Sequence, residues 1–145
     1  MTQKVIFIVC SFFFFGCTTF IPKTVNYTAD EREVIRKIVD QEWQKVFDTK
    51  YTVPDLPIKV VPWYQLGAVD NCDTTRSVLG CYRHADKEIV LSDDLENTCK
   101  TLVHEYVHEQ SQHMFGYIPE PDTHAMTSVW GKDGVLKKAQ KRACK

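Results

Sequence analysis

The sequence predicts a small α+β domain, in which a short sheet packs against an N-terminal helix, a central helix and a C-terminal helix. Apolar residues recur at three- and four-residue steps from Val34 to Phe47, which is typical of an amphipathic helix. Short segments of residues that favour β-strands follow. A second amphipathic pattern runs to about Phe115, and Gly116 is expected to end that helix. The chain has 145 residues, which is room for one such domain.

The elements are predicted in order from local signals. Thr28 and Glu31 have the spacing of a capping box at the start of the N-terminal helix. A strand is expected over Ile58–Trp63, where Pro62 ends it or places it at an edge. Two extended stretches flank a turn at His84–Lys87. The remaining predictions are an N-cap at Asp93 or Asp94 for the central helix, a short helix over His124–Trp130 and a basic helix over Val135–Ala143.

Composition excludes several classes of function. The formal net charge is −1 and the sequence pI is about 6.5, so there is no basic surface of the kind that binds nucleic acid. Intrinsic disorder is disfavoured as well, because 43% of the residues are hydrophobic and only 26% are charged. We therefore expect a folded domain that does not bind nucleic acid.

The first seventeen residues predict export. Lys4 precedes an apolar run from Val5 to Phe15, which is too short to cross a bilayer but matches a secretory signal. The segment FFGC resembles the bacterial lipobox, which implies that Cys17 is lipidated and becomes the mature N-terminus. Phe14 departs from the aliphatic residue usual there, so ordinary secretion is the alternative.

This resemblance divides the chain into a lipoprotein signal peptide (1–16), a tether (17–27) and one domain (28–145). Thr18 follows the lipidated cysteine, where Asp would favour retention in the inner membrane. By that analogy the product is a lipid-anchored protein of the cell envelope, facing the periplasm, with the outer membrane favoured.

Four cysteines remain once Cys10 is removed and Cys17 is lipidated. An even number of cysteines in a small exported domain predicts two disulfides, with three possible connectivities. We expect Cys72–Cys81, which closes a short loop, and Cys99–Cys144, which ties the C-terminus to the central helix. A four-cysteine metal site is the competing interpretation, but the spacing contains no C-x₂-C pair.

The central helix carries the motif His104-Glu105-Tyr106-Val107-His108, or HExxH. Two histidines four residues apart lie one helical turn from each other, so both rings can reach one metal ion. Glu105 then faces the fourth coordination position, where it can take a proton from water bound to Zn²⁺. The motif therefore predicts a catalytic zinc site with Glu105 as the base.

The segment from about 79 to 116 resembles the core of zincin metallopeptidases. The matching positions are Gly80, Tyr82, Ile89, Leu91, Thr101, Leu102 and the HExxH motif. The resemblance implies that an edge strand precedes the active-site helix and offers its backbone to an extended peptide substrate. It leads us to expect a substrate cleft beside Ile89–Leu91.

Catalytic zinc needs a third protein ligand. His124 follows His108 by sixteen residues, an interval similar to that of SprT-like proteases, and is the favoured ligand. Asp122 and Glu120 are the alternatives, whereas His113 falls on the opposite face of the helix.

Together these features predict a membrane-anchored, extracytoplasmic zinc metallopeptidase that acts as a monomer on a peptide or protein substrate in the cell envelope. Tyr117 and His84 are candidates for stabilising the oxyanion. One alternative is a catalytically silent zincin-fold lipoprotein that binds an envelope protein or an entering macromolecule. Metal-dependent hydrolysis of another bond, such as one in cell-wall material, is a third possibility.

Overall fold

The computed structural model describes residues 27–69, 72, 79–93, 98–116 and 122–145. The predicted signal peptide, Cys17 and the tether as far as Asn26 lie outside the described residues. The predicted α+β class is confirmed, with a three-stranded mixed sheet packed against N-terminal, central and C-terminal helices. The elements are α1 (Ala29–Phe47), β1 (Ile58–Val61), α2 (Trp63–Leu66), β2 (Gly80–Arg83), β3 (Glu88–Ser92), α3 (Thr98–Phe115), a 3-10 turn (Asp122–Ala125), α4 (Thr127–Trp130) and α5 (Val135–Ala143).

Helix α1 begins with the predicted capping box. The Glu31 backbone N–H donates to Thr28 Oγ1 at 3.2 Å, and the Thr28 backbone N–H donates to the Glu31 carboxylate at 2.8 Å. The buried face of the helix is narrower than the apolar pattern predicted, because Val34 is 57% exposed and Val46 is 41% exposed. Ile35, Val39 and Trp43 form the part of the stripe that enters the core.

The sheet has the order β1-β3-β2, which corrects one expectation. β3 pairs in parallel with β1 and antiparallel with β2, so Ile89–Leu91 lies in the central strand and not beside an open edge. Of the described strands, β1 and β2 are the edges. Of these two edges, β2 is the one that packs closely against α3, so the edge next to the HExxH helix is Gly80–Arg83.

Both faces of the sheet are covered. On one face Ile89 and Leu91 join the main core with α1, α3 and α5. On the other face Val90 packs with Val61 and Leu66, and Leu66 comes from the short helix α2. The sequence did not predict α2, since Trp63 was expected in the strand.

Helix α2 starts where it does for a local reason. Pro62 has no N–H to continue the strand ladder. The next N–H, that of Trp63, donates to Asp93 Oδ1 at 3.0 Å. Asp93 was predicted as an N-cap for α3, but its side chain accepts this hydrogen bond at the start of α2 instead. Asp94, the other predicted N-cap, lies outside the described residues.

Both predicted disulfides are present in the structure. Cys72–Cys81 joins the segment before β2 to the strand itself, and Cys99–Cys144 joins the first turn of α3 to the residue after α5. Two disulfides in a small domain indicate an oxidising, extracytoplasmic location. Among the helices of the described ranges, none has the length and apolar character needed to cross a membrane.

Candidate metal centre

Helix α3 places His104 and His108 on one face, one turn apart. The helix is anchored in the core by Leu102, Val103, Tyr106 and Val107, all of which are 0% exposed. The Nε2 atoms of His104 and His108 lie 3.0 Å apart. The HxxxH spacing therefore converges in space as the helical periodicity requires.

His124 completes the cluster from the 3-10 turn after the gap that follows α3. Its Nε2 lies 3.3 Å from that of His108, and one nitrogen from each of the three rings falls within 4.8 Å of the others. Three nitrogens bound to one tetrahedral Zn²⁺ at about 2.0–2.1 Å would lie about 3.3–3.4 Å from one another. The three side chains therefore have the spacing that could hold a single metal ion.

The other candidate residues lie elsewhere. His113 is exposed and stacks on Tyr51, with ring centroids 3.4 Å apart, so it does not join the cluster. His84 lies in the exposed turn between β2 and β3, with its ring centroid 6.3 Å from that of Tyr82. Tyr117 and Glu120 lie outside the described residues. For Asp122 the described part is the backbone of the 3-10 turn.

Glu105 is 3% exposed and lies between α3 and the edge strand β2. A Cβ added at Gly80 would come within 3.0 Å of Glu105 Oε1 and within 2.4 Å of the Thr101 Cγ2 methyl. The absence of a side chain at Gly80 thus lets the strand backbone approach the helix at Glu105. The motif glutamate is enclosed by the sheet edge on one side.

The pairing of β2 with β3 determines which backbone N–H and C=O groups of β2 point outward from the sheet. The Ser92 N–H donates to the Leu79 carbonyl oxygen at 2.8 Å, and the register pairs Gly80 with Leu91 and Tyr82 with Ile89. Because hydrogen-bonded pairs alternate along an antiparallel ladder, the backbone groups of Gly80 and Tyr82 point away from β3. These outward-facing groups belong to Gly80, the residue that approaches Glu105, and to Tyr82.

One turn further along α3, a second glutamate is tied to the same strand. Glu109 is 2% exposed, and Tyr51 Oη donates to its Oε1 at 2.6 Å. Lys87 Nζ lies 3.5 Å from Glu109 Oε2 and donates to Tyr82 Oη at 3.1 Å. Burial, followed by the Glu109 carboxylate, raises the pKa of both Tyr51 and Tyr82. This network holds the β2–β3 hairpin against α3 next to the histidine cluster.

Sequence reasoning missed Trp130, the last residue of α4. Its ring centroid lies 5.0 Å from that of His104, 4.6 Å from that of His108 and 4.4 Å from that of His124. The only signal in the sequence was an aromatic residue six positions after His124. That spacing has no meaning until the path of the chain between them is known.

Comparison of the chain with protein-family models, with curated proteins and with solved structures finds no match. What the structure provides is a small α+β domain with three histidines that could hold a metal ion, two of them at HxxxH spacing on one helix.

Proposed function

We propose that this protein is an exported zinc metallopeptidase. In this proposal His104, His108 and His124 hold Zn²⁺, and Glu105 is the general base. The observation that carries the proposal is the convergence of three histidine nitrogens at metal-binding spacing. Glu105, which follows His104 in the sequence, is buried.

The donor set fits zinc. Three imidazole nitrogens with one position left open are the arrangement of catalytic Zn²⁺ sites, in contrast to the closed sites of structural zinc. When bound, the ion supplies a Lewis acid that polarises a carbonyl group and lowers the pKa of a water molecule. Glu105 would accept a proton from the water molecule that attacks the carbonyl carbon, and would deliver it to the amine released when the C–N bond breaks.

The substrate we propose is an extended segment of a protein or peptide in the cell envelope. Edge strands bind such segments by adding them to the sheet, and β2 turns the backbone groups of Gly80 and Tyr82 toward this position. Since Gly80 lies against Glu105, a segment paired there would pass the glutamate. This role for β2 replaces the one expected for Ile89–Leu91, and it rests on the resemblance to zincins.

We also propose that the protein is a monomer anchored by lipid on Cys17. The resemblance of FFGC to a lipobox and the two disulfides support this location. A Cys17→Ala variant should then move from the membrane fraction to the soluble fraction after cell disruption, while the wild-type chain stays with the membrane. An unchanged distribution would contradict the anchor without affecting the proposed chemistry.

The proposed activity is tested with purified protein that lacks residues 1–17, by measuring bound zinc and the cleavage of an unfolded protein such as casein. Glu105→Gln removes the base but keeps the shape of the side chain. It should retain one zinc per chain and lose about 10²–10⁴-fold in cleavage rate. Glu33→Gln, at an exposed site on α1, is the matched control and should behave as wild type.

Full activity in Glu105→Gln would contradict the proposal. Zinc binding by the wild type with no cleavage of any unfolded protein would instead favour the silent, binding form of the fold. A wild-type protein that does not bind zinc would overturn the metal site itself.

A further inference from the structure

Trp130 touches all three members of the histidine cluster. The centroids of the three imidazole rings form a nearly equilateral triangle with sides of 4.8, 5.1 and 5.2 Å. The indole centroid lies between 4.4 and 5.0 Å from each of them. A point at similar distances from three corners lies near the axis that passes through the middle of the triangle, so Trp130 covers one side of the cluster.

His104, His108 and His124 would hold an ion between their three rings. An indole in contact with the three rings leaves no room for a fourth ligand on its own side. Trp130 therefore closes the α4 side of the three rings, and water or substrate would have to reach a bound ion from the other side.

Helix α4, which carries Trp130, is held in place by its neighbours. Val129, the preceding residue, is 0% exposed and belongs to the main core. Gly134 packs against the α4 backbone so closely that an added Cβ would lie 2.5 Å from the Val129 carbonyl oxygen. The position of Trp130 is thus fixed by the packing of its neighbours.

Hydrogen bonding does not account for the position of this indole. Trp130 Nε1 is buried and has no hydrogen-bond partner among the described residues. A buried donor without an acceptor is costly, at about 1–3 kcal/mol. The contacts that the ring makes instead are with the three imidazoles and with the main core.

We propose that Trp130 is a positioning residue for the metal site. It fixes the orientations of His104, His108 and His124 before the ion binds, and so raises the affinity for one tetrahedral ion. The inference rests on the proposed zinc site. Partners that hydrogen-bond to metal ligands contribute about 10–100-fold to metal affinity, and we expect an effect of that size from a ring that contacts all three ligands.

The test measures Zn²⁺ affinity by competition with a chromogenic chelator, and the intensity of the visible absorption of bound Co²⁺, which is strong in tetrahedral geometry. Trp130→Ala should bind zinc about 10–100-fold more weakly than wild type and give a weaker Co²⁺ band. Trp130→Phe keeps a ring at the site and should lie between the two. Circular dichroism will show whether Trp130→Ala folds. If it does not, the zinc affinity and Co²⁺ absorption of Trp130→Phe provide the test.

Trp43→Phe is the matched control. Trp43 is also buried with an Nε1 that has no partner among the described residues, but its ring contacts are with Phe47 and Phe115. This variant should leave both readouts unchanged. Bound Co²⁺ should also quench tryptophan fluorescence in wild type and in Trp43→Phe, and quench it less in Trp130→Phe.

Zinc affinity and Co²⁺ absorption equal to wild type in folded Trp130→Ala and Trp130→Phe would overturn this inference and leave the proposed zinc site standing. A loss of the same size in Trp43→Phe would also overturn it, because the effect would then be one of general packing. Failure of the wild type to bind either ion overturns the proposed function and this inference together.

Discussion

The Gly80 backbone lies directly against the carboxylate of Glu105, so that a Cβ at Gly80 would come within 3.0 Å of Oε1. This contact joins the edge of the sheet to the HExxH helix at the residue proposed as the base. It also makes the position of β2 sensitive to a single methyl group, because the nearest neighbour, Thr101 Cγ2, would be only 2.4 Å away.

Gly80→Ala should therefore push β2 away from α3. We expect a loss of about 1–3 kcal/mol in the free energy of unfolding, as for other additions of volume to a packed region. Zinc content should stay at the wild-type level while the rate of casein cleavage falls at least about tenfold, since misplacement by about 1 Å is costly for catalysis.

Gly67→Ala is the control for this change. Gly67 is exposed and has φ −67°, a conformation that alanine adopts without strain, so this variant should match wild type in all three measurements. Wild-type cleavage by Gly80→Ala would show that the approach of β2 to Glu105 has no role in the reaction.

The proposed metal site predicts different behaviour for two histidines near the end of α3. His124→Ala removes one of three proposed ligands and should weaken zinc binding by more than about 100-fold, beyond the effect of residues that only support ligands. His113→Ala removes an exposed ring that stacks on Tyr51 and should keep the wild-type zinc affinity. Equal zinc affinities in the two variants, measured by chelator competition, would exclude His124 as the third ligand. Asp122 and Glu120 would then be the candidates for that ligand.

The buried carboxylate of Glu109 predicts a stability effect at a distant tyrosine. Tyr51→Phe removes the hydroxyl that donates to Glu109 Oε1 at 2.6 Å. Hydrogen bonds to charged groups contribute about 1.5–3 kcal/mol, and urea denaturation should show a loss of this size. Tyr64→Phe, at a side chain that is 66% exposed, should change the free energy of unfolding very little. An unchanged free energy of unfolding in Tyr51→Phe would mean that water or another donor replaces the hydroxyl.

Two buried acids on α1 predict opposite pH dependences of stability. Burial raises the pKa of Asp40 above its usual 3.8, although Val53 and Gln110 donate hydrogen bonds to it. The ionisation of Asp40 therefore costs stability as pH rises through its elevated pKa. Burial also opposes ionisation of Glu42, but hydrogen bonds from Lys45 and Arg142 lower its pKa below 4.5. The stability that Glu42 contributes is present above pH 4.5 and is lost as pH falls through the lowered value.

Chemical denaturation from about pH 3 to pH 7 measures both effects. Relative to wild type, Asp40→Asn should become more stable as pH rises, because Asn keeps the acceptor oxygen and carries no charge. Glu42→Gln should be less stable than wild type at neutral pH and approach it as the pH falls below 4.5. Parallel curves for wild type and either variant would contradict the corresponding pKa shift.

Local patterns predicted the parts of the fold that depend on neighbours along the chain. The capping box at Thr28 and Glu31, the hairpin turn and the HxxxH spacing all involve residues within four positions of one another. His124 was predicted from a resemblance in spacing, and the structure brings it to the cluster. The roles proposed for these residues in metal binding and catalysis remain predictions.

The parts that were not predicted depend on contacts between distant segments. The central place of β3 in the sheet follows from its pairing with two strands, and the apolar pattern of Ile89–Leu91 is the same in either position. Tyr51 and Glu109 are 58 residues apart, and no local pattern connects them. Exposure of Val34 likewise follows from where α3 and α5 pack on α1, since its spacing matches that of the buried residues.

The Cys99–Cys144 disulfide has a practical consequence for work with the purified protein. His104, Glu105, His108, His124 and Trp130 all lie between these two cysteines in the chain. A single backbone cut anywhere between them would leave both pieces covalently joined. Such nicked material would have an unchanged mobility on a non-reducing gel, so preparations should be compared with and without reductant before any rate is assigned to the intact chain.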